Sequence, residues 1–144
     1  MKTPSVRVVT NPKELELCLD IRIRVFCHEQ GVSRDIELDG LDGVCRHYVA
    51  FQEADAVGTA RARPIDDKTI KFERVAVLKE LRGRDFGKSL MKLAISDATE
   101  NGYRKAILNA QTHAEPFYQS LGFSQQGERF EEAGIPHIQM IRML

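Results

Sequence analysis

The chain has 144 residues, enough for one domain with its own core and too few for two ordinary ones. With 42% hydrophobic and 29% charged residues it falls outside the range of disordered chains, and 21 Lys plus Arg against 21 Asp plus Glu leave no global field to capture nucleic acid or an anionic membrane. No uncharged apolar run approaches the ~20 residues that span a bilayer and the N-terminal stretch lacks an apolar segment, so a cytoplasmic single domain over 1–144 is expected, with no nucleic-acid or membrane partner.

In chain order, Val6, Val8 and the run to Thr10 predict a short strand, after which Asn11 caps a helix with Pro12 at its first position. Leu15, Cys18, Leu19, Arg22 and Phe26 continue that helix at its spacing. From Gln30 to Val44 the glycines and Asp35, Glu37, Asp39 and Asp42 lack a sustained period, which predicts an acidic loop holding one helical turn; loops of that length are often functional. The acidic residues suit either attraction of a cationic amine or simple solvation.

His47 to Phe51, Ala56 to Pro64 and Thr69 to Leu78 read as an antiparallel meander. Leu90, Met91, Ala94, Ile95 and Ala98 stripe a helix from Gly87 to Asn101, with Lys92, Ser96, Asp97 and Glu100 toward water. Arg104 to Ala110 follows as a strand, and the helical crossover makes it parallel to its predecessor. A short helix from Pro116 to Leu121 and strands near Phe123 to Phe130 and Pro136 to Met143 close an α+β domain. Cys18, Cys27 and Cys45 are odd in number and lack CxxC spacing, so neither a disulfide framework nor a zinc site is expected.

Chemistry concentrates in three stretches. The first runs from Glu73-Arg74-Val75-Ala76-Val77 through Arg82-Gly83-Arg84-Asp85-Phe86-Gly87-Lys88-Ser89 into a helix. A strand, a Gly- and Arg-rich turn and a helix N-terminus together make an anion site, because turn N–H groups, the helix dipole and the charges of Arg82, Arg84 and Lys88 converge. A pyrophosphate is the natural occupant, and a solvated turn is the plain alternative. Neither G-x-x-x-x-G-K-[ST] nor G-x-G-x-x-G is present, which argues against nucleoside triphosphate and NAD.

The second stretch holds Asn109, Ala114, Phe117, Tyr118 and Gly122-Phe123, and the third is Ala133-Gly134-Ile135-Pro136-His137. A phenol can stabilise or protonate an expelled thiolate, and an imidazole, which titrates near neutrality, can take a proton from an ammonium group. Each has a structural alternative, Tyr118 as a half-buried helix aromatic and His137 as a hydrogen-bonded sheet residue. Glu73 is the second base candidate; which face of its strand meets substrate is open from sequence.

The first stretch resembles the acyl-CoA pyrophosphate loop of the GNAT N-acetyltransferases, [RQ]-x-x-G-x-[GA], with Asp85 in place of the glycine. The second is similar to that superfamily's other CoA motif, and the third, with Arg22-x-x-x-Phe26-x-x-Glu29-Gln30, Asp39, Asp42 and His47, resembles the ElaA/YjcF-like subgroup. The resemblance implies a GNAT fold, a twisted, mixed and mostly antiparallel sheet flanked by helices, that opens between two strands for pantetheine. It implies acetyl-CoA as cosubstrate held by Val75 to Val77, Arg82 to Ser89, Asn109, Ala114, Phe117 and Tyr118, with Tyr118 beside the sulfur and His137 or Glu73 as base. Arg22, Glu29, Gln30 and His47 would border the amine acceptor. No metal is required, a homodimer is compatible, and an acyl-CoA sensor of the same fold without turnover is the alternative. Asp85 tolerates left-handed backbone but sets a carboxylate near the pyrophosphate, so it is expected to weaken binding without abolishing it.

Overall fold

Asn11 caps the first helix of the computed structural model, which describes residues 4–144: its side chain accepts a hydrogen bond from the Glu14 N–H at 2.9 Å and Pro12 fills the first helical position. Residues 1–3, included in the domain read from sequence, lie outside the described residues. After strand β1 (Ser5–Val8), helix α1 (Pro12–Arg22) runs directly into a wider π-helical segment, Ile23–Glu29. Cys18, Ile21 and Val25 turn inward along this helix. The acidic loop holds two turns where one was expected, α2 (Arg34–Glu37), capped by Ser33, and a 3₁₀ turn at Asp42–Val44.

Strands β2 (Arg46–Gln52), β3 (Asp55–Pro64) and β4 (Thr69–Val77) form the expected meander. Helix α3 (Phe86–Glu100), strand β5 (Lys105–Gln111), helix α4 (Glu115–Ser120) and the hairpin β6 (Ser124–Glu132) and β7 (Ile135–Met143) complete a seven-stranded sheet of order β1-β2-β3-β4-β5-β7-β6. Every neighbouring pair is antiparallel except β4 with β5, whose crossover runs through α3.

The two sides of the sheet differ in chemistry. Across the α3 side, Ala106, Leu108, Ala110, Ile138 and Met140 alternate inward with Leu90, Met91 and Ala94 of the helix in one apolar core. Gly58 is needed there, because a Cβ on it would meet Leu90 Cδ1 at 3.0 Å and the Ala76 carbonyl oxygen at 3.3 Å. Asp97, placed toward water by its sequence position, is instead buried: it accepts hydrogen bonds from Tyr48 Oη and Arg46 Nε, each at 2.6 Å, and these partners are what allow it inside. On the opposite side α1 packs mainly over β2, β3 and β4.

Candidate functional site

Two parallel strands normally hold each other along their length, yet β4 and β5 pair only from Thr69 to Phe72 against Lys105 to Leu108. Past that point the ladder ends, and a cavity of about 510 Å³ opens between Glu73–Val77 and Asn109–Gln111. A bulge in β4 accompanies the parting. Arg61 faces Glu73 and Thr59 faces Ala76, so Arg74 and Val75 together oppose one residue of β3, and Arg74 sits at φ 54°. The extra residue resets the alternation, placing Glu73 and Ala76 on one face and Phe72 and Val77 on the other. The regular alternation that groups Glu73 with Val77 therefore does not hold.

Of the sequence-predicted residues, Glu73, Val75, Ala76, Val77, Arg82, Asn109, Ala114, Tyr118, His137 and Gln30 line this cavity together. Phe117 stands behind Tyr118, edge-on at 5.0 Å, and borders the space beside Gly87 at 3.5 Å from where a Cβ would be. Arg22, Glu29 and His47 do not line it. Arg22 is wholly buried, donating to Glu37 at 2.5 Å and Asp42 at 2.7 Å, so it holds structure and has no route to an acceptor. His47 is buried beside it, with Nε2–H donated to the Asp42 carbonyl at 2.9 Å, and burial pushes its pKa down toward the neutral form. Glu29 pairs with Arg82, oxygen by oxygen, at 2.6 and 2.7 Å.

The turn from Arg82 to Ser89 has the backbone of an anion nest. Gly83 lies at φ 77° and Asp85 at φ 68°, ψ 8°, so Asp85 does adopt the left-handed conformation that a glycine would supply. Its carboxylate does not cap α3, and Arg84, Asp85 and Lys88 are exposed. The first intrahelical bond is Ser89 N–H to Asp85 O, leaving the N–H groups of Phe86, Gly87 and Lys88 without helical partners. Phe86 contributes only backbone here, because its ring is buried in the core. Arg82 differs from its expected role: its Nε–H donates to the Val77 carbonyl at 3.0 Å and its outer nitrogens hold Glu29, so much of its guanidinium is engaged.

His137 and Tyr118 both line the cavity but differ in their surroundings. His137 Nδ1 lies 2.6 Å from the Ile135 carbonyl, which can only accept, so the proton is on Nδ1 and Nε2 presents a lone pair. Phe130 stacks on the ring at 6.0 Å and the Glu132 carboxylate lies 3.6 Å from Nε2. Tyr118 is buried between Phe117 and Phe123, and burial pushes its phenol pKa up, so it remains an O–H donor. Glu73 contrasts with both. Burial opposes its charge, but hydrogen bonds from Arg63 and Arg61 and the charges of Arg61 and Lys71 prevail and hold its pKa at about 2. A carboxylate so stabilised is a poor proton acceptor at neutral pH.

Sequence reasoning did not find the ionic cluster around Glu73. Arg61, only 1% exposed, binds Asp39, Asp42 and Glu73; Arg22 binds Glu37 and Asp42; Arg74 reaches Glu37 and Asp39; Arg63 and Lys71 reach Glu73. Glu37, Asp39 and Asp42 are thus committed to arginines rather than left to water or to a cationic acceptor. The available signal was the alternation Ala60-Arg61-Ala62-Arg63 in a strand whose small partners are buried. Also unforeseen was the link of Gln30 to Gln111, two residues that line the cavity, where the Gln111 amide nitrogen donates to the Gln30 amide oxygen at 3.0 Å.

Among the described residues no group of three His, Cys, Asp or Glu could hold a metal ion, and no helix is long and apolar enough to cross a membrane.

The family model described as an acetyltransferase (GNAT) domain matches residues 15–144. Bacillus subtilis "Uncharacterized N-acetyltransferase YjcF" is 37% identical over 136 residues, covering 94% of this chain and 96% of that protein. Escherichia coli ElaA is 38% identical over 133 residues, covering 90% of this chain and 87% of its own length. The crystal structure of an acyl-CoA N-acyltransferase from Pseudomonas aeruginosa superposes with a TM-score of 0.85 at 27% identity, covering 97% of this chain and 99% of that one. With the parted strands, the nest before α3 and these relatives together, the chain belongs to the GNAT acetyltransferases, in their ElaA/YjcF-like subgroup.

Proposed function

We propose that this protein transfers an acetyl group from acetyl-CoA to a primary amine by direct attack in a ternary complex. The observation that carries the reading is the parting of β4 from β5, which frees strand backbone at Val75 to Val77 and opens onto both His137 and Tyr118. The residues present fit acetyl-CoA. Unpartnered N–H groups after Asp85, with Arg84 and Lys88 beside them, suit a pyrophosphate, and the unpaired edge of β4 suits an extended pantetheine amide chain. When bound, acetyl-CoA supplies the acetyl thioester.

His137 Nε2 takes the proton from the incoming ammonium, or from the nitrogen as its new bond to the acetyl carbon forms. Glu132 stabilises the resulting imidazolium. As the carbon–sulfur bond breaks, Tyr118 donates a hydrogen bond to the sulfur that leaves as thiolate. With its pKa pushed up, Tyr118 stabilises that charge without giving up its proton.

Calorimetric titration with acetyl-CoA and with CoA tests the cofactor half of the reading, using a Gly87→Glu variant whose carboxylate enters the space between Val77 and Phe117. Micromolar binding in the wild type and none in the variant is the expected result; absence of binding at millimolar acetyl-CoA would overturn it. Thiol release with a panel of amines tests transfer, where His137→Ala is expected to lower kcat/KM by about a hundredfold at neutral pH. Acetyl-CoA binding with no thiol release from any amine would instead identify an acyl-CoA sensor.

A further inference from the structure

The ionic cluster does not balance. Arg22, Arg61, Arg63, Lys71 and Arg74 face Glu37, Asp39, Asp42 and Glu73, and the ion pairs among them close on themselves, leaving one positive charge in excess. His47 adds none, since burial pushes its pKa down. The surplus falls at Glu73, where one carboxylate serves Arg61, Arg63 and Lys71. Arg61 is sealed in, whereas Arg63 and Lys71 keep side-chain exposures of 27% and 18% and both line the cavity.

The register puts these two cations on the same face of the sheet as the base. Arg63 opposes Lys71, Lys71 opposes Ile107, and farther along β5 Gln111 opposes His137, so Arg63, Lys71, Asn109, Gln111 and His137 all project to the side of α1. Four residues along β5 and two strand spacings separate the Cα atoms of Lys71 and His137 by roughly 16 Å, and Lys71 Nζ reaches along β4 to within 3.2 Å of the Glu73 carboxylate. At the far end, half-exposed Glu132 accepts from Asn109 at 3.2 Å and lies beside His137, giving that end the opposite charge.

We infer that the acceptor is an amine bearing a carboxylate several bonds away, its amine at His137 and Glu132 and its carboxylate at Lys71 and Arg63. This rests on the transferase reading above for the role of His137. An anion there completes the charge balance of the cluster, whereas a plain alkylamine or a diamine leaves the surplus uncompensated and sets an apolar or cationic tail against it. The amine nitrogen forms the new bond to the acetyl carbon as the acetyl carbon–sulfur bond of the thioester breaks and CoA leaves as thiolate, the proton passes from nitrogen to His137, and the carboxylate is unchanged.

The test is steady-state thiol release with 6-aminohexanoate, hexylamine and cadaverine, in the wild type, Lys71→Met, Lys71→Arg and Arg63→Gln. The wild type is expected to favour 6-aminohexanoate by about tenfold in kcat/KM. Lys71→Met, which removes the surplus charge, should erase that preference while leaving hexylamine turnover within about twofold, and Lys71→Arg should keep it. Equal kcat/KM for the three amines in the wild type, or an equal loss for all three in Lys71→Met, would overturn the inference. Arg63→Gln repeats the test from the neighbouring strand should Lys71→Met not fold. Calorimetric titration of 6-aminohexanoate into the CoA complex reads the carboxylate site independently of transfer. Binding that needs Lys71 supports the inference even where no thiol is released, in which case the transferase reading alone fails; no binding overturns the inference.

Discussion

Two arginine-bearing regions of this molecule have opposite fates. In the turn before α3, Arg84 and Lys88 are exposed beside free backbone N–H groups. In the cluster over β3 and β4, Arg22 and Arg61 are 0% and 1% exposed and every carboxylate near them is spoken for. Burial explains the difference. A guanidinium taken out of water must collect its counter-charges from the chain itself, so it fixes the loop that supplies them; one left in water keeps its donors for a ligand. Arg82 lies between these cases, exposed but clasped by Glu29. The cluster should therefore govern stability and the turn should govern affinity.

The largest expected effect separates the two. Arg61→Met leaves Glu73 buried with fewer partners and frees Asp39 and Asp42, and should cost about 3–5 kcal/mol in urea unfolding. A loss below about 1 kcal/mol would show that the cluster does not hold the loop. Gly87→Glu should do the reverse, abolishing acetyl-CoA binding while the urea midpoint stays nearly unchanged.

Acid titration sharpens the cluster's side. The folded pKa of Glu73, about 2, lies below its ordinary value of 4.5, so its ionic contacts stabilise the fold above pH 4.5 and the contribution fades as pH falls toward 2. Glu73→Gln should be less stable than wild type at pH 7 and should lose less on acidification between those values; parallel stability curves would refute the assignment.

Tyr118→Phe probes the chemistry between the two regions. Removing the hydroxyl leaves the edge-on packing against Phe117 and Phe123, so kcat should fall by roughly tenfold or more with little change in acetyl-CoA affinity or stability. An unchanged kcat would return Tyr118 to a purely structural role. The smallest effect belongs to Arg84→Ala, expected to weaken acetyl-CoA binding a few-fold at low salt and to leave unfolding within about 0.5 kcal/mol.

Much of this architecture was legible beforehand because its signals are local. Asn11-Pro12 marks a helix start by capping chemistry, the stripe through Leu90 and Ala98 marks α3 by its period, and the crossover length makes β4 and β5 parallel. The Gly- and Arg-rich turn before α3 was readable for the same reason, since its backbone is written in consecutive residues. Asp97 misled because its helical position faces outward until Tyr48 and Arg46 of β2 close over it. The acceptor contacts expected at Arg22 and His47 failed similarly, their partners being supplied by Glu37 and Asp42 in a loop whose path has no period to read.

The sequence by itself determined the order of elements, the mixed sheet and the place of the Gly- and Arg-rich turn before α3, each encoded over a few neighbouring residues by caps, periodicity and backbone freedom. Only the tertiary structure decided where β4 leaves β5, how the bulge at Arg74 divides Glu73 from Val77, and which charges are sealed and which face the cavity. Those outcomes depend on desolvation, and desolvation exists only once distant segments have packed.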